Sequence, residues 1–141
     1  MTYKELKDRQ QAEINAFPFM FAFSNEQFIK GMERLGLKPT DTDKIYSIGG
    51  GGYVRKSDYA ELEAMTQRHR QEMRDAIAAD TTGEGFIYDM FYYELANHEY
   101  IISGSITETL DALELTIDEI NESKALLHGL KKAIDAQNEY S

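Results

Sequence analysis

One apolar and aromatic segment, Phe86 to Ile102, constrains the fold more than any other part of the sequence. We predict a helix from about Phe86 to Asn97, because residues three and four positions apart form one largely apolar face there. That face consists of Ile87, Met90, Phe91, Glu94, Leu95 and His98. We expect it to point into the core. Its two polar members, Glu94 and His98, are one turn apart and close enough to pair.

Glu94 and His98 are either a hydrogen-bonded pair at the edge of the core or a functional site. A carboxylate can orient a neighbouring imidazole for acid–base chemistry, so these two residues are our only catalytic candidates. A metal site needs three or four ligands, and the other histidines, His69 and His128, lie on different predicted helices. We predict no metal and no cofactor. Because the sequence has no cysteine and no nucleophile motif, we favour a protein without enzymatic activity.

The size and composition predict a single globular domain over residues 1–141. A hydrophobic fraction of 42%, with seven Phe and nine Tyr, supplies enough apolar surface for a core and argues against disorder. The absence of cysteine suits a reducing compartment. No stretch is apolar enough to cross a membrane, and the first residues lack the apolar core of a signal peptide. We therefore expect a cytoplasmic protein without membrane association.

The predicted fold class is α+β and mainly helical, with five to six helices around a phenylalanine-rich core and one small glycine-turn β-hairpin. Capping residues, glycine stops and hydrophobic periodicity indicate the helices. Besides the helix over 86–97, we predict helices over about 3–15, 25–35, 59–79, 106–113 and 117–137. Residues 100–103 are predicted as a short strand or an extended turn.

Phenylalanine occupies every second position from Phe17 to Phe23, and Pro18 excludes a helix interior. An extended segment places the four phenylalanines on one face, with Met20 and Ala22 on the other. We interpret the phenylalanine face as part of the core. A groove for a peptide or a ligand is the alternative.

Four consecutive glycines, Gly49 to Gly52, separate two short β-prone runs, which predicts a hairpin turn. Glycine also lets backbone N–H groups approach an anion, and two bases follow the run. An anion site formed by Gly50, Gly51, Arg55 and Lys56 is therefore the alternative. Against it, no Gly-Lys-Ser/Thr sequence leads into a helix.

The formal charge of −10 is unevenly distributed along the sequence. Residues 80–141 carry three bases and thirteen acids, and no Lys or Arg occurs between Arg74 and Lys124. This asymmetry argues against direct nucleic-acid binding, which needs bases against phosphates. It favours a basic partner, with a merely solvated acidic face as the alternative. The predicted partner-binding residues are Glu108, Asp111, Glu114, Asp118, Glu119 and Glu122.

Three stretches of the sequence stand out together. The first joins Phe21-Ala-Phe-Ser-Asn-Glu-Gln-Phe28 to residues 31–37, the second is residues 49–58, and the third is residues 93–100. They resemble a family of small uncharacterised proteins carried by phages, prophages and other mobile elements of gut and Gram-positive bacteria. The likeness spans most of the chain. It implies a genetic context rather than a mechanism, so no functional residue follows from it.

We therefore expect a non-enzymatic acidic binding protein that engages a basic surface of a host nucleic-acid-handling or defence protein. It would act as an inhibitor or a nucleic-acid mimic, because dense carboxylates imitate the phosphates of a duplex and steer association with a basic groove. Two alternatives stay open. One is a small-ligand or metal-dependent site at Glu94 and His98 together with the loop Gly49–Gly52. The other is a structural homo-oligomer.

Overall fold

The structure, a computed structural model, describes residues 1–139 and is mainly helical with one small antiparallel sheet, which confirms the α+β prediction. Eight helices occur in this part of the chain: α1 (Tyr3–Ala16), α2 (Asn25–Arg34), α3 (Tyr59–Ala79), α4 (Phe86–Asn97), α5 (Tyr100–Ser103), α6 (Thr107–Ala112), α7 (Ile117–Glu122) and α8 (Lys124–Asn138). The strands are β1 (Met20–Phe21), β2 (Ile45–Gly49) and β3 (Gly52–Arg55). Within residues 1–139, no helix combines the length and the apolar character needed to cross a bilayer.

The helix predicted over 117–137 is in fact two helices, because Ser123 interrupts it. The Ser123 backbone is extended, with φ −117° and ψ 114°. Its hydroxyl accepts a hydrogen bond from the Leu126 N–H at 3.1 Å. Ser123 therefore caps the start of α8 at the residue where α7 ends.

The prediction of a strand or turn at Tyr100–Ser103 was wrong, since this segment is the single helical turn α5. Residues in the left-handed conformation lie at both ends, Glu99 with φ 56° and Gly104 with φ 68°. The Gly104 N–H donates to the Tyr100 carbonyl at 2.7 Å and closes the turn. These two left-handed residues confine the helix to four residues.

The chain divides into two compact units. The first unit comprises Met1–Gln11 and Gln71–Ser141, and the second comprises Ala12–Arg70. The single domain over residues 1–141 stays a prediction.

The core of the first unit lies between α4 and α8. Its buried apolar residues are Tyr3, Ile87, Met90, Phe91, Leu95, Leu110, Ile120, Leu126, Leu130 and Ala133. Two glycines, Gly83 and Gly129, let α4 and the loop before it approach α8 closely. A Cβ on Gly129 would lie 2.5 Å from Ile87 Cγ2, and a Cβ on Gly83 would lie 2.1 Å from the Ala125 carbonyl oxygen. A side chain at either position would separate the loop before α4 from α8.

Asp80 fixes the loop that leads into α4. Its carboxylate accepts hydrogen bonds from the N–H groups of Gly83 at 2.9 Å, Gly85 at 3.0 Å and Ile87 at 3.0 Å. Desolvation of Asp80 opposes ionisation, but these bonds outweigh it and hold the pKa of Asp80 below its ordinary value. The carboxylate thereby satisfies N–H groups at the start of α4 that have no partner within the helix.

The second unit contains the sheet, in the order β1-β3-β2 with antiparallel neighbours. The predicted glycine-turn hairpin is confirmed as β2 and β3. Gly50 and Gly51 have φ of 59° and 78°, the left-handed pair that a two-residue hairpin turn requires. A short additional strand, β1, pairs Met20 with Tyr53. One buried apolar cluster of this unit comprises Met20, Met32, Leu35 and Ile45, and Val54 of β3 is fully buried as well.

The alternation predicted for Phe17–Phe23 is present, but the assignment of its phenylalanine face to the core was wrong. Met20 is 1% exposed, whereas Phe21 is 54% and Phe23 is 77% exposed. The reason is the close approach of α2 at Gly31, where a Cβ would lie 2.3 Å from Met20 Cγ. The methionine side of the segment therefore packs inward, whereas Phe21 and Phe23 face solvent and Phe17 and Phe19 are half-buried.

Candidate functional site

Helix α4 places one carboxylate inside the first unit. The face predicted to be buried is buried, since Ile87, Met90, Phe91 and Leu95 are at most 1% exposed. Glu94 lies on the same face and is 2% exposed. A carboxylate so far from water needs a cation or several hydrogen bonds nearby, because its isolated burial is very costly.

The cation is Lys7 of α1. Its Nζ lies 2.8 Å from Glu94 Oε1 and also lies above two aromatic rings, 5.1 Å from the Tyr93 centroid and 5.7 Å from that of Tyr3. The Tyr3 hydroxyl lies close to the Glu94 carboxylate. Burial, and after it the negative charge of Glu94, raises the pKa of Tyr3, so this hydroxyl remains a donor.

His98 is the weaker partner of Glu94. Its Nε2 lies 3.8 Å from Glu94 Oε2, which confirms that the two side chains are neighbours. That Nε2 is buried and makes no hydrogen bond with a described residue. Because Lys7 is closer, Glu94 serves first as the buried anion of an ion pair whose cation, Lys7, is half-exposed. Within residues 1–139, no three His, Cys, Asp or Glu side chains are grouped so that they could hold a metal ion.

The residues of the alternative anion site do not form one cradle. Gly50 and Gly51 form the hairpin turn, whereas Arg55 pairs with Ile45 at the far end of β3. The Arg55 guanidinium donates to Asp58 Oδ2 at 2.7 Å and to the Leu35 carbonyl at 3.2 Å. Lys56 Nζ lies 5.0 Å from the centroid of the Tyr46 ring. Both cations are therefore occupied away from the glycines.

The predicted partner-binding residues all lie in what we call the acidic segment, residues 108–122. All six carboxylate residues are exposed: Glu108, Asp111, Glu114, Asp118, Glu119 and Glu122. On α6, Glu108 and Asp111 are three positions apart. On α7, Asp118 and Glu122 are four positions apart, so each short helix presents two like charges on one side.

The acidic segment is poorly compensated within the chain. Apart from Glu114, none of its carboxylates forms an ion pair with a residue in the described part of the chain. Four of the seven Lys and Arg residues of the first unit pair with other acids, and one of them is Lys4 with Asp8. Lys7 contacts Glu94, Arg9 Nη2 lies 2.6 Å from Glu72 Oε2, and Lys132 Nζ lies 3.4 Å from Glu84 Oε1. Glu119 makes a local contact only, accepting from the Thr116 N–H at 3.2 Å in the capping box at the start of α7.

Sequence reasoning missed Lys7 and Tyr3 as partners of Glu94. One signal was available, because Tyr3, Leu6 and Lys7 occupy one face of α1 at the spacing of a helical stripe. Tyr3 and Leu6 are indeed buried. Nothing in the sequence, however, indicates that this stripe packs against a residue 87 positions away.

Comparison with known proteins identifies a family. Residues 2–136 match the profile of a family of unknown function, DUF7659. No curated protein and no solved structure matches the chain. Because the match covers most of the sequence, this chain belongs to the DUF7659 family of unknown function.

Proposed function

We propose that this protein is a non-enzymatic binding protein whose acidic segment engages a basic surface of another protein. The observation that carries the proposal is the exposure of six carboxylates while bases of the same unit pair with other acids. Five of the six, all except Glu114, form no ion pair with a described residue. Such a negative surface attracts a basic partner over a distance comparable to the Debye length, about 8 Å at physiological salt. It accelerates encounter with that partner and suppresses association with acidic ones.

The partner chemistry that fits best is a nucleic-acid-binding groove of a cytoplasmic host protein that handles or defends against foreign nucleic acid. Such a groove is built to accept closely spaced negative charges. The chain would then act as an inhibitor that occupies the groove in place of nucleic acid. The resemblance of residues 21–37, 49–58 and 93–100 to proteins of phages and mobile elements supports this setting. Genes of integration, packaging or antidefence beside those of relatives would support it further, and housekeeping neighbours would count against it.

The test is a salt-dependent capture with a charge-reversed variant. The variant carries Asp111→Lys and Glu122→Lys, both in the last turns of their helices, where a cation is favourable to the helix dipole. The immobilised wild-type protein should capture a basic protein at low salt, release it at high salt, and release it when duplex DNA is added. The variant should lose this capture while its helical circular dichroism is retained.

The matched control applies the same change in charge to the second unit, as Glu33→Lys and Asp43→Lys. Both residues are exposed, and neither forms an ion pair with a described residue. The control should capture the partner as the wild-type protein does. If both variants lose capture equally, the loss reflects net charge alone and the acidic segment is not the binding surface. If capture depends neither on salt nor on either variant, the proposal is refuted.

A structural homo-oligomer is the second candidate, and exposed aromatic rings favour it. Phe21 and Phe23 of the second unit are 54% and 77% exposed. Exposed apolar side chains that lie together are typical of association surfaces. Light scattering should give a mass above that of a monomer, and Phe21→Ser with Phe23→Ser should return it to the monomer. A monomeric wild-type protein at high concentration would eliminate this candidate.

A further inference from the structure

The outer face of α4 borders a cleft in the first unit with a volume of about 510 Å³. The helix contributes Asp89, Tyr92, Tyr93, Ala96 and Asn97 to the lining. These positions follow the three- and four-residue spacing of one helical face, opposite the face that carries Glu94. The same short helix therefore supports the core on one side and forms the wall of a cleft on the other.

The lining has the chemistry of a cation site. Two tyrosine rings provide electron-rich faces, Asp89 provides a carboxylate, and Asn97 provides an amide oxygen. Asp89 is exposed and forms no ion pair with a described residue. An aromatic face beside a carboxylate attracts ammonium and guanidinium groups. The one base that lines the cleft, Lys4, has its Nζ 2.8 Å from Asp8 Oδ2.

The tyrosines of α4 already bind cations from within the chain. Lys7 Nζ lies 5.1 Å from the centroid of the Tyr93 ring, and Lys132 Nζ lies 4.9 Å from that of Tyr88. Both distances are within the range of a cation–π contact. These contacts show that the ring positions on this helix suit positively charged neighbours, and Tyr92 in the cleft has none among the described residues.

We propose that the cleft is the anchor point for an arginine side chain of the basic partner, with the guanidinium over the Tyr92 ring and hydrogen-bonded to Asp89. Arginine fits better than lysine because its planar group stacks on a ring and offers two donors to one carboxylate. This inference rests on the proposed function, since it names the residue through which a basic protein is held. The acidic segment supplies attraction, and the cleft supplies a specific contact.

The experiment titrates the full ¹⁵N-labelled chain with N-acetyl-arginine methylamide, whose only charge is the guanidinium. The Ala96 backbone amide and the Asn97 side-chain amide should shift and saturate. The citrulline analogue, which is neutral and of the same shape, should shift neither. The lysine analogue should bind about fivefold more weakly, because it lacks the stacked bidentate geometry. Equal shifts with citrulline, or shifts that avoid the cleft, would overturn the proposal.

Asp89→Asn tests the carboxylate. It should weaken binding of the arginine probe about tenfold, the loss of one charge-assisted hydrogen bond. The matched control is Asp118→Asn, which removes a carboxylate from the first turn of α7 as Asp89→Asn does from that of α4. The control should bind the probe as the wild type does. An equal loss in both variants would mean that the probe senses only net charge, and the cleft would be rejected.

The two proposals fail in different ways. Suppose that the arginine probe does not bind in the cleft while the Asp111→Lys, Glu122→Lys variant loses capture. The proposed role of the acidic segment is then supported and the arginine site in the cleft is refuted. Suppose instead that the probe binds at Asp89 while charge reversal in the acidic segment leaves capture unchanged. The arginine site in the cleft is then supported and the proposed role of the acidic segment is refuted.

Discussion

The two units of this chain differ in net charge and in the burial of their phenylalanine side chains. The second unit, residues 12–70, has eight Lys and Arg against eight Asp and Glu, whereas the rest of the chain has seven against seventeen and carries the whole formal charge of −10. The first unit packs both of its phenylalanines in or against its core. The second exposes Phe21 and Phe23. The net charge of the chain therefore belongs to the first unit alone, and the exposed phenylalanines belong to the second.

This difference separates two kinds of association. An electrostatic partner should recognise the first unit, and an apolar partner or a second copy should recognise the second. High salt weakens the first kind of contact by screening and strengthens the second by favouring apolar burial. Salt dependence thus identifies which unit takes part in any interaction that is observed.

The largest expected effect contrasts one phenylalanine from each unit. Phe91→Ala in the first unit should lower the free energy of unfolding by about 3–5 kcal/mol, because a fully buried ring leaves a cavity. Phe23→Ala in the second should change it by less than about 0.5 kcal/mol, since that ring already faces water. Urea denaturation followed by circular dichroism measures both. Comparable losses would mean that Phe23 is buried and that the contrast between the units is wrong.

The second prediction concerns the ion pair between the half-exposed Lys7 and the buried Glu94. Lys7→Met should cost about 3 kcal/mol, because it leaves the Glu94 carboxylate without its cation in the core. Adding Glu94→Leu should recover most of that loss, since an apolar pair of similar volume is tolerated in place of a buried ion pair. If the double variant is less stable than Lys7→Met alone, Glu94 makes a contribution beyond the pair. His98 would then be the first residue to test.

The third prediction compares two glycines of the first unit, both left-handed. Gly83→Ala should destabilise by about 2–3 kcal/mol, because it adds a clash with the Ala125 carbonyl to the strain of a positive φ. Gly104→Ala has no atom of the described chain within 4 Å of its Cβ and should cost only about 1 kcal/mol. Equal costs in urea denaturation would show that the loop before α4 is free to move away from α8.

Periodicity predicted the parts of the fold that depend on one element alone. The bounds of α4 and the burial of its inner face follow from the spacing of Ile87, Phe91 and Leu95, because a helix repeats every 3.6 residues. The hairpin follows equally from local chemistry, since its turn needs two left-handed residues. Both features would form in any packing that buries their apolar sides.

What the sequence could not predict depends on the choice of a partner element. Alternation in residues 17–23 defines two faces, but only the approach of α2 at Gly31 decides that Met20 is the buried one. Spacing predicted that Glu94 and His98 are neighbours, yet the cation that compensates Glu94 comes from α1. Ser123 interrupts the last predicted helix because a serine can cap as well as continue a helix, and propensity does not distinguish the two.

The smallest expected effect is a loss of stability in acid that comes from Glu13 of the second unit. In the second unit, hydrogen bonds from Arg68 and then from His69 lower the pKa of Glu13 from 4.5 to about 2. Because the folded-state pKa is the lower one, the stabilisation is present above pH 4.5 and is lost as the pH falls towards 2. An NMR titration of the Glu13 carboxylate should give a midpoint near 2, and Arg68→Gln should raise it. Arg9→Gln breaks the ion pair with Glu72 in the first unit and should leave the Glu13 midpoint unchanged. A wild-type midpoint near 4.5 would show that the contact of Glu13 with Arg68 and His69 is not formed in solution.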